Sequence, residues 1–450
     1  MSVIDRSGSA LSNRVVITFT ARVTVAVIGL FSAFLLARLL GPAEKGEFTV
    51  GQILPSTIFV LGQLGLTSAL AYYAGRGRTN GLTRRAVTLA AILSVIGIGI
   101  TLVFLPFIEE HIFKNIDPVV ILGSLAIVPS LFAFAFMNSI LTGRQQMVAY
   151  GLLAIGQIIA ALILYIALIG VAGLGARGAI LAYFLFSSGA AIAAIWASSR
   201  ATRHHTDEPI ARPRDLFHYG LRVYPASLSG FFSYRADVII MAAILASPSA
   251  IGLYSFAVGL AELVFFLPDS VVLVFFPHVA GGSREEANAA VPMVSRVTVA
   301  MTGLAALALV PAALLAVYII LPAFVDSLPA LFVLLPGVVA LSISKILSAY
   351  LNGLAHTSFV SFMATSALIL NVVMNFILIP VWGIVGAAAA SLISYTFGAV
   401  LAITFSSRLS GAKPLSFVIP TRQDVANVVS MTMTILGQVR SRLRPEKAGV

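Results

Sequence analysis

Apolar residues run through this chain in blocks of 20 or more, and polar residues collect in short clusters between them. Six blocks lie near 15–40, 47–74, 86–108, 119–142, 147–172 and 179–199. Six more follow near 216–245, 251–280, 291–320, 330–354, 359–380 and 383–407. A helix needs about 20 apolar residues to cross a hydrocarbon core. None of the blocks shows the two-residue alternation of a membrane-barrel strand. The pattern predicts an all-α polytopic membrane protein with about 12 transmembrane helices. Composition narrows the class further: of 450 residues, 59% are hydrophobic and 10% are charged, whereas soluble domains carry about 25% charged residues. A soluble enzyme and a nucleic-acid binder are excluded, and the absence of cysteine excludes disulfides and thiolate metal sites.

The net charge of +11 therefore reads as topology. With the N-terminus in the cytoplasm, the outer loops hold only Lys45, Lys114 and Arg177. The inner segments hold twenty basic residues, among them Arg76, Arg78, Arg84, Arg85, Arg144, Arg200 and the tail residues Arg440, Arg442, Arg444 and Lys447. This bias predicts that both termini are cytoplasmic. The first block is too long to be the core of a cleaved signal and is interrupted by Arg22, so it stays as a span. The segment 425–439 carries Val425, Val428, Val429, Thr432, Leu436 and Val439 on one face and is too short to cross. It reads as an interfacial helix followed by a basic tail drawn to anionic headgroups.

The chain also repeats itself. Pro42, Gly46 and Phe48 align with Pro248, Gly252 and Tyr254 at a shift of 206, and Leu141-Thr142-Gly143 aligns with Leu351-Asn352-Gly353 at a shift of 210. Two matches at corresponding loops of six-helix sets predict two homologous halves. Six is even, so the halves share an orientation and are related by an axis along the membrane normal, with a cavity between them. The expected organisation is a cytoplasmic N-terminus over 1–14, an N-lobe over 15–199, a linker over 200–215, a C-lobe over 216–407 and a cytoplasmic tail over 408–450.

Several segments resemble the polysaccharide transporters, the Wzx-type flippases of the MOP superfamily that also holds MATE exporters and lipid II flippases. They are Ala37-Arg38-Leu39-Leu40-Gly41-Pro42-Ala43-Glu44-Lys45-Gly46-Glu47-Phe48 and Gly62-Gln63-Leu64-Gly65-Leu66-Thr67-Ser68-Ala69-Leu70. Others are Asp237 with Gly252-Leu253-Tyr254 downstream, Phe276-Pro277, and Asn371-x3-Asn375 leading to Ile379-Pro380-x2-Gly383-Ile384-Val385-Gly386-Ala387-Ala388. The resemblance implies two six-helix lobes in a MATE-like arrangement that opens alternately to each side. It implies a polyprenyl-pyrophosphate-linked oligosaccharide as cargo, the bacterial inner (plasma) membrane as location, and polysaccharide assembly proteins as possible partners. Many lipid II flippases have fourteen spans, and twelve here weigh against that cargo.

A charge near the bilayer centre costs about 3 kcal/mol on insertion scales, so charges within spans are functional candidates. Arg14, Thr18 and Arg22 recur every four residues on the first helix and would meet a pyrophosphate in series; the planar guanidinium suits bidentate phosphate contact. Arg222, Arg235 and Lys345 complete the candidate cationic set, against the alternatives of snorkelling or ion pairing. Among the acids, Glu262 and Asp269 stand seven apart on one face, and Asp237 lies in the seventh span. Each could bind a coupling H⁺ or Na⁺ or neutralise a basic neighbour, with Glu262 preferred. Asn371 and Asn375 read as interhelical hydrogen-bond partners. No histidine pair at ligand spacing and no phosphate-binding glycine loop is present, so neither a metal, a cofactor nor an ATPase is expected.

The leading expectation is a flippase, not an enzyme, moving a lipid-linked oligosaccharide outward by alternating access, with ion coupling. An exporter of cationic drugs driven by H⁺ or Na⁺ is the alternative, and it would want an anionic cavity. A membrane polymerase or glycosyltransferase would need larger outer loops than the short ones here.

Overall fold

The computed structural model describes residues 4–202, 212–421 and 424, with side chains from Ile28 onward. The side chains of Arg14 and Arg22, most of the expected linker, the expected interfacial helix over 425–439 and the basic tail lie outside the described residues.

The described residues are nearly all helical and contain no strand. In chain order the helices are α1 (Ile4–Gly62), α2 (Leu66–Gly75), α3 (Leu82–His111), α4 (Pro118–Leu125), α5 (Val128–Gly143), α6 (Met147–Tyr165) and α7 (Gly175–Ala201). They continue with α8 (Pro213–Leu245), α9 (Pro248–Glu262), α10 (Phe266–Gly281), α11 (Arg284–Leu315), α12 (Leu328–Gly353) and α13 (Thr357–Ser410). Nine helical stretches among the described residues are long and apolar enough to cross a membrane, and a bent pair, Ile28–Gly62 with Leu66–Gly75, makes a tenth.

Two helices are double. At 1.5 Å per residue, the 54 residues of α13 would run about 80 Å, far beyond a bilayer core of about 30 Å. The chain turns at Gly383 (φ 56, ψ −129) in α13 and at Gly41 (φ 67, ψ 178) in α1. Only glycine adopts such backbone angles readily, and Pro42 then starts the next helix where a missing N–H costs nothing. Each of these two helices is thus two helices joined at a glycine, as the sequence blocks on either side predict. Spans one and two are thus joined by a sharp break and not by the expected outer loop. The second span is itself bent by 61°, with Leu64 (φ 49) and Gly65 (φ 71) left-handed at the bend. The fourth span is interrupted between α4 and α5, where Pro129 removes a backbone donor.

Contacts divide the chain into two compact units. The first comprises Met1–Ala257, Val317–Ser327 and Met374–Ala387; the second comprises Val258–Ala316, Leu328–Val373 and Ala388–Val450. The core of the first is aromatic: Phe48, Phe132 and Phe136 are fully buried, with Phe132 edge-on to Phe136 and to Phe59. Within the first unit the two repeats touch each other reciprocally. Gly46 packs on the carbonyl of Pro248, and Gly252 packs on the carbonyl of Pro42. The hydroxyls of Thr49 and Ser255, also 206 apart, meet at 3.0 Å. A side chain at either glycine would occupy the opposing carbonyl.

In the second unit, Val291, Ile346, Leu347, Tyr350 and Phe417 form a buried core. Tyr350 donates its hydroxyl hydrogen to Asn288 Oδ1 at 2.6 Å. The segment after α13 folds back on α11: Ser295 Oγ donates to the Phe417 carbonyl at 2.9 Å, and the Arg296 guanidinium grips both carboxylate oxygens of Asp424.

Candidate functional site

In the first unit the two halves of α1 and helices α6 and α7 line an open chamber of about 400 Å³. Its wall includes Ser32 from the first half of α1, Lys45, Phe48 and Gln52 from the second, Gln157 and Tyr165 from α6, and Phe186 from α7. The spacing explains the convergence: 45, 48 and 52 share one helical face, as do 157, 161 and 165. Phe48, Tyr165 and Phe186 stack edge to face at 5.9 Å and form an aromatic side to the chamber. Lys45 Nζ lies 5.6 Å from the centroid of Phe48, within cation–π range. The sequence reading put Lys45 in an outer loop. The structure corrects this: the Gly41 break lets the helix resume at Pro42, and Lys45 sits in its first turn facing the chamber.

Arg235, on α8, lies within electrostatic reach of Lys45 and is partly buried. Asp237, two residues on, is buried and accepts the hydroxyl hydrogen of Tyr254 at 2.5 Å and the backbone N–H of Val238 at 2.8 Å. The Tyr254 bond ties α8 to α9, and Asp237 is thereby engaged in structure.

Near the start of α8, Arg222 is exposed and its Nη2 stands 2.8 Å from Nε2 of His218. Together with Tyr72, Tyr73, Arg214, Asp215 and Tyr219 they line a second concavity of about 410 Å³. Tyr72 stacks on Tyr219 at 4.5 Å, and the Arg76 guanidinium covers Tyr72 at 4.8 Å. Arg222 thus belongs to a basic, aromatic rim with partners at hand.

The second unit holds the remaining candidates. Lys345 Nζ donates to Asp269 Oδ1 at 2.7 Å and lies 4.3 Å from the Phe265 centroid, so these two candidate charges neutralise each other. Glu262 ends α9, and a 3₁₀ turn over Leu263–Phe265 separates it from α10. The tighter winding turns the chain by about 20° more per residue than an α-helix. Glu262 and Asp269 thus stand on either side of a break in the α-helical winding. Asn371 Nδ2 donates to Ser394 Oγ at 3.2 Å and reaches Ser391 Oγ at 3.5 Å, tying the two parts of α13 on either side of its break. Among the described residues no cluster of His, Cys, Asp and Glu is placed to hold a metal.

The sequence reading missed Ser32, Gln52 and Gln157 as wall residues. The signal was present, since Gln157 is a lone amide in a 26-residue apolar block and Gln52 stands seven after Lys45. A loop over 41–46 leaves Lys45 with no helical face for Gln52 to share.

Apolar helices that cross repeatedly, broken at Gly41 and Gly383, with charges held inside spans, define a multi-pass membrane protein. Residues 35–328 match a family model described as Polysaccharide biosynthesis protein, and the chain belongs to that family, in agreement with the polysaccharide-transporter resemblance of its motifs. The fold is shared with solved structures. A lipid II flippase MurJ in an inward closed conformation superposes with a TM-score of 0.73 at 12% identity, over 96% of this chain and 94% of that one. An inward-facing multidrug resistance MATE family transporter of the MOP superfamily gives 0.61 at 17% identity, over 86% and 95%. A MATE P26A mutant gives 0.56 at 19% identity, over 88% and 96%. No curated protein matches the chain in sequence.

Proposed function

We propose that this protein is a flippase that carries a polyprenyl-pyrophosphate-linked oligosaccharide from the cytoplasmic to the outer leaflet of the bacterial inner membrane by alternating access. The observation that carries the reading is the family match over residues 35–328, reinforced by a fold shared with MurJ and MATE structures. The lobes over 15–199 and 216–407, joined by the linker over 200–215, are the elements that alternate. Arg235, Arg14 and Arg22 receive the pyrophosphate, and Arg222 attracts it at the cytoplasmic rim. Lys345 contributes through its pair with Asp269. Ion coupling falls to Glu262 in preference to Asp237, whose carboxylate is engaged by Tyr254 and backbone.

The test is mass spectrometry of lipid-linked sugars in cells lacking the protein. Accumulation of a complete repeat unit with loss of exported polymer is expected, reversed by wild type. Restoration by Arg235→Ala should fall at least about tenfold, since a charge-assisted phosphate contact is worth about 1.5–3 kcal/mol. Unchanged lipid-linked sugars would overturn the reading in favour of a small-molecule exporter.

A further inference from the structure

The chamber between α1, α6 and α7 has a chemistry of its own. Among the described residues its one charged wall residue is Lys45, and none of them brings a carboxylate to the wall. The two acids on the same helical turns face elsewhere: Glu47 lies within electrostatic reach of Arg177 and Asp117, and the Glu44 carboxylate packs at Gly175. Arg235 adds a second positive charge nearby. Among the described residues Lys45 makes no ion pair, and the buried hydroxyl of Ser32 has no hydrogen-bond partner. The remaining polar wall groups, Gln52, Gln157 and Tyr165, can all donate hydrogen bonds.

Lys45, a cation with three N–H donors, thus lines this largely apolar wall without an anionic partner, and the Ser32 hydroxyl beside it is unpartnered. An anion would supply the partner that Lys45 lacks, whereas a cationic guest would meet its like charge. We propose that this chamber binds a small inorganic anion of the chloride or phosphate class, with Lys45 supplying the charge and Ser32, Gln52 and Gln157 the neutral donors. The volume of about 400 Å³ holds such an ion with part of its hydration, as a water occupies about 30 Å³. The site goes beyond the transport reading and does not depend on the identity of the cargo.

Thermal unfolding of the full chain in detergent, in sodium gluconate at fixed ionic strength, provides the test. Replacing gluconate with chloride or phosphate should raise the midpoint by about 2 °C at tenfold excess over the dissociation constant. Lys45→Met should abolish the rise, Lys45→Arg should retain it, and Gln157→Leu should reduce it. Lys413→Gln, at an exposed position, should leave it intact. An equal rise in wild type and Lys45→Met overturns the proposal, as does no rise in wild type. If Lys45→Met does not fold, the comparison of Lys45→Arg with Gln157→Leu decides. A rise produced only by a short-chain polyprenyl pyrophosphate, and by neither inorganic anion, also overturns it and assigns the chamber to the lipid headgroup. Failure of the flippase reading would leave this result unchanged, because the readout involves no transported substrate.

Discussion

Gly252 and Gly259 sit in the same helix and predict opposite outcomes when replaced by alanine. In an open helix interior alanine is favoured over glycine by about 1 kcal/mol, and a Cβ at Gly259 meets nothing within 4 Å. Gly259→Ala should therefore leave the unfolding midpoint unchanged or raise it. At Gly252 the new Cβ would fall on the Pro42 carbonyl. Forcing two backbones apart costs about 1–3 kcal/mol, so the midpoint should drop, and Gly46→Ala should behave alike against Pro248. A second contrast concerns Asp237. Tyr254→Phe removes a hydroxyl donor from a buried carboxylate, which costs about 1–3 kcal/mol. The variant should be less thermostable, while the export supported per folded molecule stays near wild type. A collapse of export at normal protein levels would make Asp237 a coupling group after all. The repeat at a shift of 206 was legible at this scale from Pro42, Gly46 and Phe48. That the repeats touch was not, because a repeated sequence records common descent and says nothing about contact.

At the scale of elements, the return of the chain onto α11 depends on one ion pair. The Arg296 guanidinium beside Asp424, with help from Thr421, holds the Asp424 carboxyl well below the usual carboxylate range. A depressed carboxyl contributes stability that is present above its ordinary value and is lost as pH falls through the folded-state value. The docking of residues 414–421 should thus persist at neutral pH and weaken only in strong acid, read as hydrogen exchange of these amides against pH. Arg296→Ala should release the segment already at pH 7. Nothing in the pattern of apolar and polar positions indicated this contact, since Arg296 and Asp424 stand 128 apart and each passes for an ordinary surface charge. The spans themselves were readable, because burial in lipid demands long apolar helices whatever their partners. Their breaks were less so: Gly-Pro at 41–42 is equally good chemistry for a loop and for a kink, and the choice of loop misplaced Lys45. The bend at Leu64 and Gly65 was hidden inside an apolar block for a similar reason.

At the scale of the whole chain, the distribution of basic residues makes a prediction that the natural absence of cysteine renders convenient to check. Single cysteines at Arg144 and Arg200 should react with an impermeant maleimide only in inverted vesicles, and one at Lys114 only in intact cells. Labelling on the opposite sides would reverse the assigned topology. The fold class was legible because hydropathy alone sets it, and the motif order was enough to point to the family. The candidate site was legible only in its charges. Which of them pair, as Lys345 does with Asp269, depends on helix rotations and on the 3₁₀ turn at Leu263–Phe265, which no periodicity encodes.

The contact between the repeats has one more consequence. Each repeat offers its proline carbonyl to the other's glycine and its hydroxyl to the other's hydroxyl, so the same patch is used on both sides. That is the defining property of an isologous interface, the kind formed when two identical subunits meet about a two-fold axis. The crossing at Gly46 and Gly252 is therefore a dimer interface held within a single polypeptide, with the geometry a half-length chain would need to pair with its own copy.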